Sequence, residues 1–446
     1  MKDYLYTKLN NFLGINELNN ITQSFMRRFM TFQLIAMFIG YISSTFYVLY
    51  ITQKFDFVFY AELTSIAFTV QFLLDYISGS LGDWIGQKSV IFISMFLFGI
   101  VNLLIGIAVT KNEFRLAFVI LGIAAAQMSG SWQSLFENNY KILSGSQDLD
   151  RKIVGFFSSR VFSINSVLVV LALNLGGIIA TFSRQLLFVI QGVIYFAFSF
   201  LILVFIKNKY YSESDIASDL DSLKPKKGYF KILSEGLVIF LKNRPVFLII
   251  LSTVFNTVAW NIWAGLLLFP IYFGYTGSDV GTTIVRSLVY IIGLYFTIKI
   301  ATQSKKIANA NKWIGLFQIL FSVIFFGLYF LLVSYFPLLN SLNPTAIILT
   351  IFFYIPFFTL LQLVNILKQR IMIDIIPPEN RNSIYSLPPT LSTMLSIPVV
   401  LGAGIIINSY GFNFGIFYAG FFSVIAGILL IIFYKVSKPV NSVISP

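Results

Sequence analysis

Five charged side chains lie in or at the ends of long apolar stretches: Glu62, Asp75, Glu137, Arg160 and Arg286. A carboxyl group removed from water can bind and release a proton as its surroundings change. Glu62 is therefore the first candidate for proton coupling and Asp75 the second. Arg160 is open to a structural ion pair with Asp75 or Glu137. Arg286 either holds an anionic group or extends its charge toward the membrane surface. The chain contains no Cys and no His, which excludes disulfides, thiol nucleophiles, zinc sites and haem held by histidine. Any proton relay must use Asp, Glu or Tyr.

A second set of residues is polar but neutral. Gln33 and Tyr41, Gln127 and Trp132, Asn256 and Trp260, and Tyr354, Gln362 and Asn365 all interrupt apolar runs. Such groups are costly against lipid, so they should face protein or water. Asn256 and Trp260 are four apart and share a helix face, and Gln362, Asn365 and Gln369 form one stripe. Taken singly, each suits an interhelical hydrogen bond. As a set, aromatic rings beside neutral amides suit a cavity for a neutral, amphiphilic or aromatic solute.

The elements that must position these residues are membrane spans. Of 446 residues, 57% are hydrophobic and 11% charged, against roughly 25% charged in soluble domains. A span needs about 20 apolar residues. Runs of that length occur at Met30–Ile51, Phe57–Tyr76, Ser89–Thr110, Leu116–Phe136, Ile153–Thr181 and Gln185–Ile206. They recur at Pro245–Tyr272, Val280–Ile300, Trp313–Phe336, Thr345–Ile373, Ser383–Ile407 and Phe412–Tyr434. These runs predict an all-α integral membrane protein with about twelve transmembrane helices. The expected organisation is a cytoplasmic arm (1–29), a six-helix bundle (30–206), a polar linker (207–244) ending in an amphipathic surface helix, a second six-helix bundle (245–434) and a cytoplasmic tail (435–446).

The net charge of +13 has a membrane explanation. With both termini in the cytoplasm, 25 of the 31 Lys and Arg fall in inward segments and four in outward loops, as the positive-inside rule requires. The basic surface then faces anionic inner-leaflet lipid, and no nucleic-acid partner is needed. The Gly86–Ser89 segment, GQKS, departs from a phosphate loop because Gln separates Gly from Lys, so no nucleotide site is expected and no cofactor is called for.

The segment DYISGSLGDWIGQKSV, from Asp75 to Val90, resembles the loop signature of the major facilitator superfamily. Gly79, Leu81, Gly82, Asp83, Gly86 and Lys88 match, while Trp84 and Gln87 depart from it. The glycines are expected to form a tight turn, and Asp83 suits the positive end of a helix dipole. The resemblance implies that this helix is span 11, opened by Arg381, and that the contact latches the outward-facing state. Arg151 holds the matching place before span 5. Gly176-Gly177 and the segment QMSGSWQSLFENN are similar to features of the drug:proton antiporter branch, though the usual Gly-Pro and the Arg of span 4 are absent. The resemblance further implies two bundles related by pseudo-two-fold symmetry, a cavity lined by spans 1, 4, 7 and 10, and a monomer.

The expectation is a secondary active transporter in the plasma membrane, working by alternating access and exporting a drug-like or amphiphilic solute in exchange for protons. An uptake symporter or uniporter for a neutral solute such as a sugar is the alternative. A membrane-embedded enzyme is remote: its paired carboxylates, Glu62 and Asp75, would lie about 20 Å apart along one helix.

Overall fold

The computed structural model describes residues 2–148, 152–210, 238, 240–304, 307, 310–376 and 381–441, with 76–84 and 381–383, among others, described in backbone only. Twelve helices among the described residues are long and apolar enough to cross a membrane, beginning with Asn20–Lys54 and ending with Phe412–Ser437. The described residues contain no strand. Backbone groups in lipid must be satisfied within the segment, and helices do this. Of the expected surface helix before Arg244 only residues 238 and 240–243 are described; 238 and 240–242 are helical, and Phe240 is buried with its ring 5.1 Å from Phe247.

Two compact units form by contact: 1–45 with 70–224, and 46–69 with 225–446. In the first, span 3 (Gln87–Ile107) packs along span 6 (Arg184–Phe205). Gly99 and Gly192 permit their close approach, since a Cβ at Gly192 would lie 3.0 Å from the Gly99 carbonyl oxygen. In the second, span 9 (Asn311–Tyr335) packs along span 12 (Phe412–Ser437). Gly427 serves there, with a built Cβ 3.1 Å from the Ile319 nitrogen. The same pairing thus recurs six spans later. The hairpin Phe46–Thr69 belongs to the second unit, where Ser65 donates to the Ile397 carbonyl at 2.9 Å.

Span 1 begins at Asn20, ten residues before the expected start at Met30, and Asn19 caps it by accepting from the Thr22 amide at 2.8 Å. The opening segment is helical over Lys2–Leu13. Leu13, Ile15 and Leu18 are buried in the core of the first unit with Phe25, Phe29 and Phe157. This apolar triplet makes the segment a packed element.

Several spans are broken. Span 1 opens at Ser43–Thr45, between Asn20–Ile42 and Phe46–Lys54. Span 4 divides into Lys111–Met128 and Ser131–Ser144 at Gly130, whose φ of 72° is left-handed. Nothing lies within 4 Å of a Cβ built on Gly130, so it serves as a backbone joint, where helix packing would be the simpler expectation for a glycine inside a span. Spans 7 and 10 each contain a π turn, Trp263–Leu267 and Phe357–Leu361. Pro270 follows the first, where its missing amide leaves the Leu266 carbonyl without a helical donor, and Pro356 precedes the second, where its missing amide accounts for the end of the helix Pro344–Phe352. Pro388, Pro389 and Pro398 leave the helix Arg381–Tyr410 continuous.

Candidate functional site

In the first unit, spans 1, 4 and 5 surround a cavity of about 900 Å³. Its walls include Gln33 and Met37 from span 1, Trp132, Gln133 and Phe136 from span 4, and Phe157 and Asn165 from span 5. Ring contacts tie these helices together: Phe29 and Phe136 are tilted with centroids 4.8 Å apart, and Phe136 and Phe157 are stacked at 6.1 Å. The break at Gly130 places the first turn of Ser131–Ser144 at the cavity wall.

Three polar atoms in this region are buried and take no hydrogen bond among the described residues: Trp132 Nε1, Gln127 Oε1 and Asn165 Oδ1. Buried polar groups are normally satisfied, and Trp132 and Asn165 line the cavity, so a solute with an acceptor and a donor would complete them. Trp132 is 7% exposed and edge-on to Phe29 at 5.7 Å. It also borders a second cavity of about 240 Å³ that includes Gln33, Tyr41 and Ser44.

The charged candidates of this unit are arranged differently from the simplest pairing. Asp75 accepts from the Ser129 hydroxyl, which joins span 2 to the break in span 4. Glu137 accepts from Gln133 Nε2 at 2.7 Å, and both line the larger cavity. Arg160 lies over the rings of Phe12 and Phe156 at 5.0 and 4.8 Å. Among the described residues it forms no ion pair with Asp75 or Glu137.

In the second unit a cavity of about 260 Å³ is walled by Asn256 and Trp260 from span 7, Phe321 from span 9, and Phe357, Asn365 and Lys368 from span 10. Trp260 stacks on Phe357 with centroids 4.8 Å apart. Gln318 Nε2 donates to Asn256 Oδ1 at 2.9 Å and to Ser423 Oγ at 3.2 Å, so the Asn256 carbonyl is occupied and its amide nitrogen is left for the cavity.

Tyr354 is placed otherwise than expected. It is buried in an aromatic cluster, where its hydroxyl accepts from Trp263 Nε1 at 2.9 Å. Gln362 is half-buried one position beyond Leu361, and it is Leu361, Asn365 and Lys368 that line the cavity. Arg286 is 8% exposed with its guanidinium 4.5 Å above the Phe269 ring. Glu62 is half-buried in the hairpin assigned to this unit.

Lys368 is the residue that the charge count misplaces. Counted as an inward loop charge, it lies inside span 10 at 5% exposure. Its place three residues after Asn365, on a helix already carrying amides, is the signal for a lining position. Phe29, Phe357, Asn165 and Gln318 also belong to these walls or their supports; the two phenylalanines carry no signal in the sequence, whereas Asn165 and Gln318 are polar residues inside apolar runs that could have marked them.

The loop after span 2 turns more sharply and later than the glycine pattern suggests. The helix Phe57–Ile85 runs through Gly79, Leu81, Gly82 and Asp83, and the left-handed residue is Gly86, with φ 87°. Asn208 fills the space beside Gly86 and accepts from the Lys88 amide at 2.8 Å, capping span 3. Asn139 ties in the same corner by accepting from the Tyr210 amide at 2.8 Å. Gly86→Ala should cost about 1–2 kcal/mol, from a left-handed backbone and the displaced cap together. A lowered melting temperature in detergent checks this. The side chains of Asp83 and Arg381 lie outside the described residues, as does Arg151.

The family model for the Major Facilitator Superfamily matches residues 29–387. The chain belongs to the major facilitator superfamily. Its fold agrees: the crystal structure of the nucleoside transporter NupG is similar at a TM-score of 0.69, with 14% identity, covering 94% of this chain and 100% of that one. A bacterial homologue of the human lysosomal transporter Spinster, in an inward-facing and unoccupied conformation, is similar at 0.64 and 12% identity, covering 94% and 98%. No curated protein matches by sequence. As a major facilitator the chain is a multi-pass membrane transporter of twelve spans.

Proposed function

We propose that the protein exports an amphiphilic, ring-bearing small molecule across the plasma membrane in exchange for protons. It works as a monomer by alternating access between the bundles 30–206 and 245–434. The observation that carries this reading is the cavity of about 900 Å³ at the break in span 4. Its size falls within the range of drug-sized ligand sites, about 300–1,000 Å³, and its rings and unsatisfied Trp132 and Asn165 suit an amphiphile. The distribution of Lys and Arg supports cytoplasmic termini. Asp83 and Arg381 are the proposed latch between conformations.

For coupling, the geometry favours Asp75 over Glu62. The Asp75 carboxylate bonds to Ser129 at the joint of span 4, so a proton arriving there changes a contact that holds the cavity wall. Glu62 belongs to the hairpin of the other unit and is the second candidate.

Proteoliposomes with an imposed pH gradient test the proposal, using neutral, anionic and cationic fluorescent amphiphiles as probes. Wild type should drive one of these against its gradient. Asp75→Asn should lower that uphill flux by about tenfold or more while sparing exchange of labelled for unlabelled probe, because only the coupled step needs the titrating group. If Asp75→Asn and Glu62→Gln both leave uphill flux intact, the coupling assignment is wrong. Flux that responds only to the solute's own gradient would instead favour a uniporter.

A further inference from the structure

Lys368 places a basic side chain in the wall of the second unit's cavity, 5% exposed, on a helix long and apolar enough to cross the membrane. Among the described residues its ammonium has no hydrogen bond and no carboxylate partner. An uncompensated charge in such a place is costly. An apolar residue of similar length would fill the same space without that cost. The cavity offers a reason for the lysine. Asn256 has its carbonyl taken by Gln318 and its amide nitrogen free, so two groups at this wall are hydrogen-bond donors. Beside them, Trp260 and Phe357 form a stacked pair at 4.8 Å. Donors and a cation next to a flat aromatic platform are complementary to an anionic head on a ring.

We infer that this cavity binds the carboxylate of an aromatic or conjugated organic acid. Lys368 is the charge partner, Asn256 the second donor, and Trp260 with Phe357 the platform. At about 260 Å³ the cavity takes the head and its ring, since whole drug-sized ligands need somewhat more. The inference rests on the transporter reading and narrows it: the exported amphiphile is an acid. A phosphate head from an anionic lipid presents the same charge, and the test separates the two sources.

Binding is measured on the whole protein in neutral detergent, by equilibrium dialysis and thermal shift. The probes are 2-naphthoate, its neutral counterpart 2-naphthalenemethanol, the cationic 2-naphthylmethylammonium, and phosphatidylglycerol as competitor. Wild type should bind naphthoate at least about tenfold more tightly than the alcohol, and the ammonium most weakly. Lys368→Met should abolish that preference, and Lys368→Arg should keep most of it. Empty Lys368→Met should melt at or above the wild-type temperature, because it removes an unpaired buried charge.

Equal binding of acid and alcohol to wild type, or a preference that survives Lys368→Met, would overturn the inference. So would a marked loss of stability in empty Lys368→Met, which would make the lysine structural. Displacement of naphthoate by phosphatidylglycerol at lower concentration than naphthoate itself would assign the site to lipid and overturn the solute reading. No gradient enters the measurement. A protein that fails to transport can still bind or reject the acid, and a carrier active only on neutral amphiphiles sinks the acid site while the transporter reading stands.

Discussion

Gly176→Ala should sharply reduce the yield of folded protein, and Gly176→Leu should eliminate it. The break in span 1 leaves carbonyls near Ile42 without their helical donors, and neighbouring spans close in on them. Gln191 donates to the Ile39 carbonyl at 2.6 Å. Span 5 comes nearer still: a Cβ on Gly176 would overlap the Ile42 carbonyl oxygen. The obstruction is backbone, so no side-chain rotation relieves it. Spans 1 and 5 must separate, which loosens two walls of the larger cavity. Overpacking of this kind costs about 1–3 kcal/mol for a single methyl group that can be partly accommodated, and more for leucine. Gly327→Ala is the matched control. It is also a Gly-to-Ala change inside a helix, but nothing lies within 4 Å of its built Cβ. Helix propensity alone then applies, worth about 0.8–1 kcal/mol in favour of alanine. Melting temperature and the monodisperse fraction in detergent should move in opposite directions for the two variants. Similar melting of both would show that the approach to Ile42 carries no weight.

Gly176 also shows what kind of information the sequence carries. Its spacing from Arg151 resembles that of Gly404 from Arg381, and both glycines lie where a Cβ would strike another helix: Gly404 meets Ala61 as Gly176 meets Ile42. The spans themselves are legible because hydrocarbon thickness and the need to satisfy every backbone amide leave few alternatives. Their interruptions are not. Ser43–Thr45 and Ser129–Gly130 are as acceptable to a hydropathy window as continuous helix, and what makes them tolerable is a partner far along the chain, Gln191 in one case and Asp75 in the other. The opening segment misleads for a related reason. Leu13, Ile15 and Leu18 are too few to register as an apolar run, yet all three are buried.

The candidate site is half legible. Polar residues in spans 1, 4, 7 and 10 stand out because lipid penalises them, and Gln33, Trp132, Asn256, Trp260 and Asn365 line cavities. Which face of a helix turns toward the cavity is harder to read. In span 10 the π turn at Phe357–Leu361 takes in an extra residue and shifts the phase of everything after it. The lining stripe is Leu361, Asn365 and Lys368, and Gln362 is rotated off it. Lys368 is hidden by a rule that is sound on average: a lysine near the inner end of a span usually belongs to the cytoplasmic loop. Tyr354 misleads because an aromatic residue with a hydroxyl suits a buried network as well as a binding surface, and here Trp263 claims it.

Trp132→Ala should weaken solute binding by about thirtyfold, the effect of removing a central aromatic anchor worth about 2 kcal/mol. The indole contributes in two ways. Its faces supply stacking area in the larger cavity, and its Nε1 is a buried donor with no partner among the described residues. Trp132→Phe separates the contributions. It keeps most of the ring and removes the donor, so the loss should be near the net value of one hydrogen bond, about three- to tenfold. Alanine also opens the wall between the cavities of about 900 and 240 Å³, which should relax selectivity toward bulkier probes. Trp263 provides the contrast. It is fully buried, edge-on to Phe325 and Tyr329 at 5.1 and 4.5 Å, and already bonded to Tyr354. Its loss should appear as about 3–5 kcal/mol of stability. Equilibrium binding of the probe that wild type transports best, measured beside the melting temperature, distinguishes the two. If Trp132→Phe binds as tightly as wild type while Trp132→Ala does not, the indole N–H has no part in recognition. If both bind normally, the solute does not occupy the cavity at the joint of span 4.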